Sequence, residues 1–148
     1  MREEWGELES KGGELIYEVN LEISPRQKAA FDDWLSGHVQ ALLEQPGFLS
    51  ARILRNDEQA EDRWARRTVS YRLRDRQALD DYIAGPAEAM RADGLCRFGG
   101  SMRASRRTLR LVAEISALGN CENCHGVLFD RHCQRCGQKI DAPHPPPA

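Results

Sequence analysis

Four cysteines near the end of the chain have the spacing of a metal site. Cys121-Glu-Asn-Cys124 and Cys133-Gln-Arg-Cys136 are two Cys-x-x-Cys pairs separated by eight residues. Thiolates two residues apart reach one ion from a single tight turn, and two such turns complete the tetrahedron that zinc prefers. Four thiolates leave no open coordination position, so zinc, the one cofactor expected, has a structural role rather than a catalytic one. Apparent binding of about 10–16 kcal/mol would fold a segment too short to build its own core. His125 and His132 adjoin the cysteines but are not needed as ligands. Two other readings are weaker. Cys121-x-x-Cys124-His125 has the form of a c-type haem attachment site, which requires export, and the acidic start Met1-Arg-Glu-Glu-Trp lacks a secretory apolar stretch. A redox dithiol would call for a thioredoxin-like βαβ pattern, which is not found.

Elsewhere the chemistry-bearing residues are dispersed. Glu18, Asn20 and Glu22 alternate along one segment, and Ser70, Arg72 and Arg74 along another. Together they could bind a small polar or anionic ligand, but each acid has a basic neighbour, and a salt-bridge lattice is the expected reading. Cys96 is the odd cysteine and reads as a small core residue. His38, at the edge of an apolar stripe, reads as structural. Arg103, Arg106, Arg107 and Arg110 are the densest basic stretch. Alternation divides them between two faces and no aromatic residues lie among them for base stacking, which disfavours nucleic acid.

The elements that must position these residues follow from periodicity and punctuation. Leu15, Tyr17, Val19, Leu21 and Ile23 alternate with mostly polar residues, the signature of a half-buried strand. Ser24-Pro25-Arg26-Gln27 predicts a serine N-cap, proline at the first helical position and a capping-box glutamine. Phe31, Trp34, Leu35, Val39, Leu42 and Leu43 then recur at helical spacing, and Gln45-Pro46-Gly47 stops the helix. Strands are expected at 48–55, 66–74 and 102–112. A second helix is capped by Asp75 and carries Leu79, Tyr82, Ile83 and Met90. It is broken at Gly85-Pro86 and ended by Gly94.

The order β-α-β-β-α-β is that of an α+β ferredoxin-like fold with an antiparallel sheet, order 4-1-3-2, and both helices on one face. Net charge is −2 but uneven: residues 1–62 carry −8 and residues 63–110 carry +7. Strands 1 and 3 are neighbours, so Glu18 and Glu22 would face Arg72 and Arg74 and the asymmetry would be neutralised internally. The open sheet face predicts a homodimer, closing as a dimeric α/β barrel.

Motifs across the domain support this reading. Ile16-Tyr-Glu-Val-Asn-Leu-Glu-Ile23, Phe31-x-x-Trp34-Leu, His38-Val, Pro46-Gly-Phe48, Met90-Arg-x-Asp-Gly-Leu-x-Arg-Phe-Gly99 and Ala104-Ser-Arg-Arg107 together resemble a family of small bacterial domains of unknown function, related to the dimeric α/β-barrel group. The resemblance covers about residues 14–111. It implies the ferredoxin-like fold and a homodimer, and no activity. The wider barrel group includes cofactor-free monooxygenases and haem-degrading enzymes. Asn20 would match an asparagine that some haem-degrading members use on their first strand, but no histidine here falls on a strand. The cysteine segment is similar to a short zinc ribbon.

The expected organisation is therefore an extension at 1–13, a ferredoxin-like domain at 14–112, a zinc ribbon at 119–140 and a proline-rich tail at 141–148. No run approaches the roughly 18 apolar residues of a membrane span, and a cytoplasmic protein is expected. The leading expectation is a non-enzymatic homodimeric binding or assembly module, with a protein partner at the ribbon. The alternative is a cofactor-free small-molecule enzyme or ligand-binding barrel using Glu18, Asn20 and Arg72, and nucleic-acid binding through Arg103–Arg110 is third.

Overall fold

The period-two pattern of the first segment forms β1, Leu15–Ile23, with every odd position buried and every even one half-buried. β1 is central. It pairs antiparallel with β3, Ala65–Leu73, on one side and with β4, Met102–Arg110, on the other, and β2, Phe48–Arg55, lies beyond β3. The sheet order β2-β3-β1-β4 is the expected one. A computed structural model describes residues 13–58, 63–115, 117, 119–120, 124–125, 127–128 and 135–136.

Three helices, α1 (Lys28–Leu43), α2 (Arg76–Ala84) and α3 (Ala87–Phe98), share one face of the sheet. Phe31, Leu35, Val39 and Leu42 of α1 and Leu79, Tyr82 and Phe98 of α2 and α3 close on Leu15, Tyr17, Val69, Tyr71 and Leu73. α1 ends where Pro46-Gly47 forbids continuation, and Gly47 takes φ 84°, a conformation costly to any residue with a Cβ. The Asp75 side chain accepts from the Ala78 amide at 2.9 Å and caps α2. Gly85-Pro86 separates α2 from α3, as expected.

Four expectations are corrected, and a buried arginine is added to them. Ser24 does not cap α1 through its side chain. Pro25–Gln27 form a 3-10 turn in which the Ser24 carbonyl accepts from the Gln27 amide at 2.9 Å, and α1 begins one residue later. Ile83 is exposed, because the break after Ala84 lets α2 present Ala78, Leu79 and Tyr82 instead. Gly94 does not end its helix, which runs on to Phe98. It is buried where a Cβ would stand 3.1 Å from Trp34 Cη2, so the glycine permits close packing. Cys96 is exposed, since Gly94 and Phe98 occupy the inward face of α3. Arg67 is buried on the helix-facing side of β3, where Asp32 of α1 accepts its Nε and Nη2 at 3.1 Å each.

The chain divides into two compact units after Val112. In the second, β5 (Gly119–Asn120) pairs antiparallel with β6 (Val127–Leu128). Cys121, Cys133, His132, residues 1–12 and the tail 141–148 lie outside the described residues. Among the described residues, no helix is long and apolar enough to cross a membrane.

Candidate functional site

The outer face of the sheet gathers Glu18, Asn20, Glu22, Ser70 and Arg72, and among the described residues its acids are already paired with arginines. Alternation puts Glu14, Glu18 and Glu22 on one row of β1, and the antiparallel register brings basic residues from both neighbours against it. Glu18 accepts from Arg107 at 2.8 Å and from Asn20 at 3.0 Å, and these two bonds hold its carboxyl below the usual carboxylate range. Glu22 pairs with Arg66 at 3.0 Å, and Arg72 with Glu14 at 2.9 Å. Asn20 also accepts from the Thr68 hydroxyl at 2.7 Å. The expected lattice is present with different partners: Glu18 stands opposite Ser70, Glu22 opposite Arg66 and Ile16 opposite Arg72. Arg74 does not join it, bonding Asp75 beyond the end of β3. Toward one end of the strands a groove of about 440 Å³ runs past Asn20, Glu22, Arg66, Thr68, Arg103 and Ser105.

The other face of the sheet holds a different chemistry. Between it and α1 and α3 lies a cavity of about 40 Å³ lined by Tyr17, Trp34, His38, Tyr82, Arg91 and Arg106, among others. Trp34 and His38 lie one helical turn apart on α1 and stack, ring centroids 4.3 Å apart. Trp34 donates its indole N–H to Asp93 of α3 at 2.8 Å, which fixes the ring. Burial holds His38 below the usual imidazole range. Asp93 pulls the other way and Arg106 reinforces the burial, so at neutral pH the ring is uncharged and able to accept a proton.

Two arginines complete the cavity. Arg91 Nη2 donates to the Tyr17 hydroxyl at 3.2 Å, while its Nε is shut away from solvent with no acceptor among the described residues. Arg106, inward-facing on β4, has no carboxylate partner among the described residues, in contrast to Arg107 one position on. Tyr17 packs against Tyr71 and Tyr82 with centroids 6.1 Å away in each case. Burial raises the phenols of Tyr71 and Tyr82 above the usual tyrosine value, keeping both protonated.

The model of a domain of unknown function, DUF4286, matches residues 14–112, the whole of the sheet-and-helix unit that frames this cavity. The chain belongs to the DUF4286 family. No curated protein matches it in sequence. Solved structures share the fold of this DUF4286 domain. A dimeric ferredoxin-like protein from an uncultured marine organism superposes with a TM-score of 0.57 at 14% identity, over 69% of this chain and 98% of that one. SnoaB, a cofactor-independent oxygenase from Streptomyces nogalater, gives 0.54 at 15% identity, over 69% and 96%. The heme-degrader MhuD from Mycobacterium tuberculosis, solved with two hemes in its active site, gives 0.52 at 20% identity, over 68% and 99%. These likenesses establish an α+β ferredoxin-like fold with a four-stranded antiparallel sheet.

Sequence reasoning passed over the helix-facing cavity of the DUF4286 domain. His38 and Trp34 at helical spacing were its one local signal. Arg91 and Arg106 come from α3 and β4, and only the fold brings them to α1. Of the four cysteines, Cys124 and Cys136 are described, and Cys121 and Cys124 fall in the connection between β5 and β6.

Proposed function

We propose that this domain binds a small organic molecule in the cavity between its sheet and α1 and α3, and that His38 takes a proton from the bound molecule. The observation that carries the reading is one cavity lined by a half-buried imidazole whose proton affinity burial lowers, two arginines without carboxylate partners among the described residues, and an aromatic wall. A neutral base beside cationic groups can both remove a proton and stabilise the anion left behind. SnoaB, a cofactor-independent oxygenase, and MhuD, a heme-degrader, share the fold. The outer face, where the sequence pointed, supports this less well because its acids and arginines satisfy one another. A screen of aromatic fragments by proton–nitrogen NMR tests the proposal. Shifts of the Trp34 indole N–H and the His38 ring would support it. Fragments that bind only the outer-face groove, or nowhere, would overturn it.

An assembling role for the outer face is the second reading, and it concerns a homodimer. The acidic row of β1 between basic rows is complementary to itself, and Leu54 and Leu109 are exposed on that face, Leu109 beside half-buried Ile16. The marine ferredoxin-like protein is described as dimeric. Light scattering that gives a monomer at high concentration would end this reading. For the second unit we propose structural zinc on Cys121, Cys124, Cys133 and Cys136. Their spacing, and a hairpin whose connection carries the first pair, support it. Metal analysis finding less than one zinc per chain in untagged protein would contradict it.

A further inference from the structure

The proposed pocket has a chemical preference that its own residues state, and the inference below rests on that pocket reading. We infer that the bound molecule carries a carboxylate, held between Arg91 and Arg106 where they line the cavity.

Arg66, Arg67, Arg72, Arg74, Arg76, Arg97 and Arg107 each have a carboxylate within ion-pair distance. Among the described residues Arg91 and Arg106 have none, nor do Arg26, Arg52, Arg63, Arg110 and Arg135, and of these it is Arg91 and Arg106 that line this cavity. Arg91 is also held in place. The Tyr17 hydroxyl accepts one of its N–H groups at 3.2 Å, leaving Nε buried with nothing to accept its proton. A buried donor left without an acceptor is costly, and a bound anion removes that cost. The cavity of about 40 Å³ is too small for a whole substrate and suits a group the size of a carboxylate. Half-buried Trp34 and His38, stacked on each other, line the same cavity and supply an aromatic wall for the rest of the molecule. Among the described residues no acid lines the cavity, and Asp93 beside it is engaged by the Trp34 indole and by Arg97.

The test uses a matched pair, phenylacetate and phenylacetamide, titrated into the full chain by NMR. They differ in charge and hardly in shape. Charge-assisted hydrogen bonds predict that phenylacetate binds about tenfold or more tightly, shifting the Trp34 indole and Arg91 side-chain signals. Arg106→Gln, on an exposed side chain, is expected to erase most of that preference without unfolding the domain. Arg91→Lys is expected to retain part of it, and Arg91→Gln none. Equal binding of acid and amide at the same signals would overturn the carboxylate inference and leave the pocket reading standing. Phenylacetate shifting only Arg66 and Arg103 would overturn the inference too. Neither compound, nor any aromatic fragment, moving the cavity signals would overturn both.

Discussion

At the scale of single residues, His38 is the position on which the account turns. Its imidazole is held below its ordinary value of 6.5 mainly by burial. The unfolded chain therefore binds that proton more readily than the folded one, and folding stability must fall as pH drops from about 6.5 toward the lowered folded value. Denaturant midpoints measured between about pH 7.5 and about pH 5 are expected to show this loss, and His38→Gln to flatten that part of the profile. An unchanged profile in the variant would show that the ring titrates freely. Gly47 makes a sharper structural prediction. Its φ of 84° disfavours a side chain, and an added methyl would overlap the Ala78 Cβ. Gly47→Ala is expected to destabilise the domain by about 1–3 kcal/mol, read from the midpoint of chemical unfolding.

At the scale of elements, the link between α1 and β3 is a charged one. Arg67 is buried and bound through two nitrogens to Asp32, which also stands 3.8 Å from Lys28. Asp32 is about one-third exposed, so the loss on Asp32→Ala should be about 1–2 kcal/mol rather than the full cost of a buried unpaired charge. Asp32→Ala combined with Arg67→Met should recover part of it. A double variant less stable than the sum of its singles would refute this account of the pair. The same elements show what could be read from the sequence. β1 was legible because its alternation is strict and its outward residues polar, and the breaks at Pro46-Gly47 and Gly85-Pro86 because proline and glycine act locally. The run of α3 through Gly94 was not legible, because the reason for that glycine is the Trp34 ring from another helix. For the same cause the outer-face lattice was foreseen in kind but not in partners. Pairing depends on register, and register brings Glu18 to Arg107 rather than to Arg72. The cavity was least legible of all, since its histidine, arginines and tyrosines come from four elements.

At the scale of the whole molecule, the proposed reading gives the two faces of the sheet two tasks: ligand chemistry toward the helices and association away from them. If a second copy covers the outer face, Ile16→Glu should raise the dimer dissociation constant by about tenfold or more, because it replaces an apolar contact beside Leu109 with a charge that the interface must desolvate. Light scattering across a dilution series reads this directly, and an unchanged dimer would place the interface elsewhere. Zinc removal should act on the second unit alone. A chelator is expected to alter signals beyond Val112 while the cooperative unfolding of the sheet-and-helix unit stays unchanged. The central claim, that the domain uses its helix-facing cavity, is most directly tested by a crystal of the full chain soaked with phenylacetate. The account predicts density for its carboxylate between Arg91 and Arg106 and for its ring beside Trp34 and His38. Density confined to the outer groove at Arg66 and Arg103, with the cavity unchanged, would contradict it.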